Sequence, residues 1–174
     1  MSKAHSPVNV LYCESNVDGT IGGSHYCLLW LLESLDRSQF TPLVVFYEEH
    51  ALVPRFKATA DTRILPQPHP VLWGAGASGL LAAPLALLRR GVNMFRFFGR
   101  VRDQVRFLRD NDIAVVHQNN SIRRHHDWML AALVAGVPCI AHERGINHYF
   151  TWLDKELGRR MALIIPMSKS IMGF

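Results

Sequence analysis

Short apolar runs alternate along the chain with longer stretches in which apolar residues recur at helical spacing. The apolar runs predict strands at residues 8–13, 42–47, 63–65, 113–118, 138–141 and 162–167. Helical periodicity predicts helices at residues 24–36, 51–60, 80–90, 93–110, 123–135 and 150–160. Strands that alternate with helices indicate an α/β fold, here a doubly wound, mostly parallel, Rossmann-like sheet of about six strands with helices on both faces.

The loop between the first strand and the first helix is rich in glycine and polar residues, including Asn16, Gly22, Gly23 and Ser24. The first N–H groups of a helix lack internal partners, and glycine lets the backbone approach a ligand closely. We therefore expect this loop to bind a phosphate or diphosphate. The spacing of Gly19, Gly22 and Gly23 does not match the dinucleotide-binding fingerprint or the P-loop, and it therefore excludes both motifs. An ordinary turn with Ser24 as the helix N-cap is the alternative.

Polar residues also follow three later strands of the predicted sheet. They are His117, Asn119, Asn120, His142, Arg144 and Ser168. Parallel strands bring their carboxyl ends to one edge, where such sheets bind ligands, so these residues should converge with the glycine loop. His142 is the best candidate for transition-state chemistry or for binding a sugar hydroxyl, and Arg144 suits an oxyanion. A hydrogen-bonded structural role for His117 and a simple turn at residues 119–121 remain alternatives.

Positive charge is concentrated in one part of the chain. The net charge is +5, and the clustered arginines are Arg89, Arg90, Arg96, Arg100, Arg102, Arg106 and Arg109. A local basic patch favours a phosphate-rich partner or an anionic membrane. The predicted helix at 93–110 also has an apolar stripe, which consists of Met94, Phe98, Val101, Val105 and Leu108. We expect this stripe to face the core, which would leave the arginines on a solvated face of the helix.

The cysteines and histidines show no metal-binding spacing. The three cysteines, Cys13, Cys27 and Cys139, are far apart, and Cys13 and Cys139, which lie in apolar strand-like runs, are typical of small core residues in a reducing compartment. By composition, a zinc site could be formed by His117, His125, His126 and His142, but their spacing matches no known zinc-binding pattern. We expect His125 and His126, which are adjacent, to be exposed. With no signal-peptide pattern and no apolar stretch long enough to cross a bilayer, we expect a cytoplasmic protein.

Four segments resemble the N-terminal half of GT-B glycosyltransferases of the family 4 type. These are retaining enzymes that use nucleotide-diphosphate sugars. The segments are VLYCESNVDGTIGGSHYCLLWLLESL, VRFLRDNDIAVVHQNN, AGVPCIAHERG and ALIIPMSKSI. Each match is loose, but together they span most of the chain in the order that the family has.

The resemblance implies roles for several residues. Gly22 and Gly23 would approach the donor diphosphate, and His142 would lie near the sugar at the reaction centre. His117 matches a family histidine, whereas Asn119 stands where many members have a second one. Arg144 lies in a loop that often meets the acceptor, a glycan or lipid-linked molecule. The resemblance implies no metal cofactor.

The family's donor site lies mainly in a second domain that carries a Glu-x7-Glu motif. Residues 1–174 contain no such motif. We therefore expect a single acceptor-side domain with little transferase activity alone. Family members that use lipid-linked acceptors often dock to membranes, which implies peripheral contact at the inner face of a membrane through the basic and apolar insertion at residues 71–110.

Two other functions remain open from the sequence. Glu48 and Glu49 follow the second strand, where an acidic residue would hold the ribose in a dinucleotide-dependent oxidoreductase. A non-enzymatic, membrane-associated binding module is the second alternative. We expect no nucleic-acid partner, because the arginine cluster is accompanied by no motif that reads RNA or DNA.

Overall fold

Six parallel strands form one sheet in the computed structural model, which describes residues 6–14, 16, 19–66 and 82–172. The strands are β1 (Val8–Cys13), β2 (Phe40–Phe46), β3 (Asp61–Ile64), β4 (Ile113–Gln118), β5 (Cys139–Glu143) and β6 (Leu163–Pro166). Their order is β3-β2-β1-β4-β5-β6, and every neighbouring pair is parallel. The predicted α/β fold with a doubly wound sheet is thus confirmed.

Helices cover both faces of this sheet. They are α1 (Gly23–Glu33), α2 (Val53–Thr59), α3 (Ala82–Asp110), α4 (His126–Ala135), α5 (Trp152–Gly158) and α6 (Lys169–Met172). On one face, α1 and α2 bury Leu28 and Phe56 against Phe46 of β2. On the other face, α3 and α4 bury Leu108 and Trp128 in a second cluster. The chain changes faces between β1 and β4, the position where doubly wound sheets bind ligands.

Several helix boundaries differ from the prediction. The two helices predicted at 80–90 and 93–110 form the single helix α3, which continues through Gly91. Pro84 lies in its first turn, where a proline needs no N–H partner. The predicted insertion at 71–110 begins in residues 67–81, which lie outside the described residues.

The N-terminal ends of α1 and α4 also differ. Gly22, not Ser24, is the N-cap of α1. Helix α4 begins at His126 because His125, its N-cap, has a left-handed backbone with a φ of 56°. Strand β5 extends to Glu143, so His142 belongs to the strand rather than to the loop after it.

The predicted core stripe of α3 is only partly correct. Val101, Val105 and Leu108 are buried, but Met94 and Phe98 are 48% and 52% exposed. Among the described residues, the hydrophobic cluster on this side of the sheet takes Phe97 and later positions of α3 but neither Met94 nor Phe98.

The structure also tests the predictions for the cysteines and for membrane-spanning segments. Cys13 and Cys139 are buried in the core, and burial raises the pKa of Cys139 to about 12. Over the described ranges of the chain, no helix combines the length and apolar character needed to cross a bilayer.

Candidate functional site

Backbone hydrogen bonds join the segments that follow β1, β4 and β5. The N–H of Asn119 donates to the carbonyl of Cys13 at 3.0 Å, and the N–H of Arg144 donates to the carbonyl of Asn120 at 3.1 Å. These bonds extend the strand pairing beyond the sheet. The polar residues after the three strands therefore meet at one edge, as the sequence predicted for them.

A buried carboxylate organises this edge. Glu14 is fully buried, and its two carboxylate oxygens accept hydrogen bonds from the side-chain amides of Asn119 at 2.6 Å and Asn120 at 3.0 Å. The Asn119 amide also donates to the carbonyl of Ser24 at 3.0 Å, which ties β4 to helix α1. Because Asn119 is itself fully buried, it positions neighbouring groups rather than facing solvent.

Arg144 is fixed by the same asparagine. Its Nη2 donates to Asn119 Oδ1 at 2.8 Å, and its Nε donates to the Asn119 carbonyl. In the part of the chain that the structure describes, no carboxylate lies within ion-pairing distance of this guanidinium. Its positive charge is therefore available to an anion at the sheet edge.

His117 and His142 form a hydrogen-bonded pair on neighbouring strands. Nε2 of His117 lies 2.7 Å from Nδ1 of His142, so one nitrogen donates and the other accepts. Burial, with a contribution from His142 and Arg144, lowers the pKa of His117 to about 3. Burial and Arg144 also lower the pKa of His142. Both rings are neutral near pH 7, and the half-buried His142 can offer a neutral hydrogen bond to a ligand.

A polar cleft with a volume of about 620 Å³ lies beside the N-terminus of α1. Of the predicted site residues, it is lined by Asn16, Gly22, Ser24 and Asn120. Arg123 and Arg124 add positive charge to the same wall. Gly23, His117, His142 and Arg144 are not part of this lining, and Asn119, which bonds both Ser24 and Arg144, connects Arg144 to the start of α1. Ser168 is exposed beside α6, outside the lining of the cleft.

The paired glycines beside the cleft are not required by the fold. A Cβ added to Gly22 or Gly23 would meet nothing within 4 Å, and Gly22 has an extended backbone with a φ of −123°. Gly19 differs, because its φ of +72° favours glycine and a Cβ there would lie 3.4 Å from Glu48. Open space in front of Gly22 and Gly23 leaves room for a ligand to approach the backbone.

Sequence reasoning missed the structural role of His25 at this edge. His25 is buried, and its Nδ1 accepts the N–H of Gly22 at 3.2 Å, which caps α1. The three-residue spacing from Gly22 to His25 is the signal that could have identified it. Glu143 accepts a hydrogen bond from Asn147 at 2.6 Å and another from Ser121 at 3.0 Å, which fixes the loop after β5.

The expectation that His125 and His126 are exposed is wrong. The ring of His125 stacks on Tyr47 with centroids 5.3 Å apart. His126 bonds Asp154 at 2.6 Å and is half-buried. Across the described stretches of the chain, no group of three or more histidine, cysteine or acidic side chains could hold a metal ion.

A second, mainly apolar cleft adjoins the polar one. It has a volume of about 700 Å³, and its walls include Ile146, Tyr149 and Phe150. Gly145 and Asn147 line both clefts, so they lie at the junction. An amphipathic molecule could therefore place its polar part near α1 and its apolar part in this second cleft.

No protein-family model and no curated protein matches the sequence. Among solved structures, the chain is similar to Arabidopsis thaliana UGT89C1 complexed with UDP. The TM-score is 0.52 at 15% identity, over 93% of this chain and 42% of that one. A mutant of the Thermobaculum terrenum O-GlcNAc transferase gives a TM-score of 0.45 at 14% identity, over 95% of this chain and 28% of that one.

Both neighbours are GT-B glycosyltransferases, and this chain spans less than half the length of either. The likeness to UGT89C1 concerns the fold: strands and helices superpose along nearly the whole chain although few residues are identical. The chain therefore has a Rossmann-like α/β fold of the kind found in GT-B glycosyltransferases.

Proposed function

We propose that this chain is the acceptor-side domain of a glycosyltransferase that transfers a sugar from a nucleotide-diphosphate sugar. On the four sequence segments that resemble the family, we assign it to the retaining, family 4 type, and we expect little or no transferase activity from the chain alone. The proposal needs no metal ion or other cofactor. The fold shared with UGT89C1 supports it.

The observation that carries the proposal is the open glycine pair at the start of α1. Neither packing nor backbone conformation requires glycine at Gly22 or Gly23, yet Gly22 lines a polar cleft and Gly23 is the next residue along the helix. The first-turn N–H groups of α1, including that of Ser24, have no carbonyl four residues earlier to bond. Together with the charge of Arg123 and Arg124, they suit the diphosphate of a donor.

His142 would act at the reaction centre as a neutral hydrogen-bonding group for the transferred sugar. His117 fixes the orientation of its ring through the 2.7 Å contact. Arg144 places a positive charge next to the pair of histidines. Among the described residues, no carboxylate forms an ion pair with this arginine. A neutral ring suits this role, because it can bond a sugar hydroxyl without acting as the base that deprotonates the attacking acceptor hydroxyl.

The acceptor would occupy the two adjoining clefts. Asn16 and Asn120 line the polar one and can bond hydroxyl groups, and we assign Ser168, which follows β6 and lies outside the cleft lining, to the acceptor as well. The apolar cleft with Ile146 and Tyr149 favours an acceptor with an apolar part over a free glycan. A lipid-linked acceptor fits this description, and peripheral contact with a membrane is then part of the proposal.

Calorimetric titration of UDP, GDP and NAD into the purified chain tests the donor assignment. We expect UDP or GDP to bind more tightly than NAD, and Gly23→Ala to weaken that binding. Gly99→Ala is the matched control, because it also fills open space on a helix but lies on α3. Tighter binding of NAD would favour the oxidoreductase alternative, and equal binding by Gly23→Ala and wild type would contradict the glycine assignment.

A radiolabelled sugar-transfer assay tests the expected lack of activity. The chain alone should show no turnover above background with UDP- or GDP-sugars. Robust turnover by residues 1–174 would contradict the assignment as one domain of a two-domain enzyme.

A further inference from the structure

The first half of α3 exposes large apolar side chains, and the exposed fraction reaches 82% at Phe95. They are Leu87, Leu88, Val92, Met94, Phe95 and Phe98. None of them belongs to either of the two hydrophobic clusters that stabilise the described part of the fold. The surface that they form is therefore open to a partner.

Three of these side chains and one glycine form a line along the helix, which we call the α3 seam. Its members follow one another at intervals of three, four and three residues: Leu88, Gly91, Phe95 and Phe98. This spacing keeps side chains on one side of a helix where two helices pack together. The next position on the line is Arg102, which lies 3.6 Å from Asp103, so the apolar seam ends at Phe98.

The α3 seam is distinct from the face that packs on the sheet. At 3.6 residues per turn, it lies about a quarter of a turn from the mean direction of the buried α3 residues Val101, Val105 and Leu108. The second half of α3 can therefore stay in place on the sheet while the seam is covered.

The pattern of the seam is complementary to itself. Gly91 and Phe95 lie two positions on either side of Asn93, and Leu88 and Phe98 lie five positions on either side. When two copies of α3 run antiparallel about a two-fold axis at the level of Asn93, Phe95 of each copy is opposite Gly91 of the other. Phe98 is likewise opposite Leu88, so each large seam residue has an apolar or open counterpart.

Gly91 supplies the space that this packing needs. A Cβ added at Gly91 would meet nothing within 4 Å. A shallow depression of about 710 Å³ surrounds it, with walls that include Leu88, Val92 and Phe95. An aromatic ring of a facing helix can enter the depression as a knob enters a hole between four residues. Glycine is otherwise unfavourable inside a helix, so its place in the seam favours close approach of a second backbone.

Most arginines of this segment point away from the seam. Arg89, Arg90 and Arg96 fall about a third of a turn or more from its centre. Arg100 lies 3.5 Å from Asp127 of α4 and is directed toward that helix. A second helix on the seam therefore buries none of these guanidinium groups. A lipid surface or a nucleic acid would instead meet the side of the helix that faces away from most of the charge.

We propose that two copies of this chain associate through the α3 seam as an antiparallel helix pair, with Phe95 of each copy seated over Gly91 of the other. The exposed apolar side chains of both copies bury on the order of 1,000 Å² in this pair, at the lower end for specific interfaces. We therefore expect a weak and reversible dimer. The inference does not depend on transferase activity.

Sedimentation equilibrium of the purified chain at about 1 to 100 μM tests the proposal. We expect a monomer–dimer equilibrium that is at least as strong at high ionic strength, because salt screens the repulsion between the arginines of the two copies. A chain that stays monomeric at the highest concentration would overturn the proposal.

Two variants test the seam itself. Phe95→Glu should weaken the dimer about a hundredfold, whereas Trp30→Glu, at another exposed aromatic position, should leave it unchanged. Gly91→Leu should weaken it about tenfold or more, although it adds apolar surface, because the leucine fills the space for the ring of Phe95. Gly99→Leu is the matched control, since Gly99 is also an open glycine of α3 but lies outside the seam.

Cysteine cross-linking tests the antiparallel register. A mixture of the Gly91→Cys and Phe95→Cys variants should form a disulfide-linked dimer under mild oxidation, because these two positions are opposite each other in the pair. Either variant alone should cross-link far less, since its two copies lie about 6 Å apart along the helix axis. The three native cysteines are present in every sample and give the same background. Equal cross-linking by the mixture and by a single variant would contradict the register.

Other results would identify a different occupant of the seam. If the dimer forms but neither Phe95→Glu nor Gly91→Leu weakens it, the copies associate through another surface and the inference is wrong. If the wild-type chain is monomeric and binds phosphatidylglycerol vesicles, and Phe95→Glu loses that binding, a lipid surface covers the seam instead. Circular dichroism should show the same fold for all variants, because the altered positions are exposed or open.

Discussion

Replacing His117 with asparagine should flatten the dependence of stability on pH. In the folded chain, burial and the neighbouring His142 and Arg144 lower the pKa of His117 to about 3, against an ordinary value of 6.5. The unfolded chain can therefore take up a proton at mildly acidic pH that the folded chain cannot. The stability contributed by the neutral ring is fully present above pH 6.5 and is lost as the pH falls toward 3.

The magnitude follows from this difference in pKa. Each pH unit below 6.5 lowers the free energy of unfolding by about 1.4 kcal/mol through this one group. Between about pH 7 and pH 4.5 the wild-type chain should lose about 2 to 3 kcal/mol through His117. Asparagine does not titrate, so the His117→Asn variant should lack this part of the loss, even though it is less stable at pH 7.

Urea unfolding at the two pH values, followed by circular dichroism, measures this effect. The relevant quantity is the loss of unfolding free energy between the two pH values, compared between wild type and variant. His148→Asn is the control, since His148 is exposed. Equal losses in the wild type and His117→Asn would refute the view that a buried, neutral histidine pair lies at the sheet edge.

Three further changes test other parts of the structure by urea unfolding. Glu14→Gln should lower stability by about 2 to 3 kcal/mol, because a donor replaces an oxygen that accepts an asparagine amide; no loss would contradict the buried carboxylate network. Gly19→Ala should cost about 1 to 2 kcal/mol because of its positive φ, while Gly23→Ala should cost nothing. Tyr47→Phe should cost about 1 to 3 kcal/mol by leaving the buried indole N–H of Trp128, now 2.6 Å from the tyrosine oxygen, without an acceptor. Equal effects of the two glycine variants, or a fully stable Tyr47→Phe, would show that these contacts are misassigned.

The sheet could be predicted well from the sequence because its determinants are local. Strands β1 and β4 have the predicted bounds, since each is an apolar run that ends at polar residues. The parallel arrangement of β1, β4 and β5 then brings His117, Asn119 and Arg144 to one edge without further information. Boundaries that depend on backbone conformation, such as the left-handed turn at His125, are not visible in an apolar pattern.

The pairings within the site could not be predicted in the same way. The contact between His117 and His142 depends on the register of β4 against β5, in which His117 is opposite Ile140. The bond between Glu14 and Asn119 joins residues 105 positions apart. Periodicity also shows which residues share a helix face but not which of them a neighbour covers, and Phe98 is exposed for that reason.

The most direct test of the proposed donor site is an NMR titration of the isotopically labelled chain with UDP and GDP. The account predicts saturable shifts of the backbone amides of Gly22, Gly23 and Ser24 and of the side-chain amide of Asn120. It also predicts that NAD causes smaller shifts at the same positions. Shifts confined to other parts of the chain, or an equal response to all three ligands, would contradict a nucleotide-diphosphate site at the start of α1.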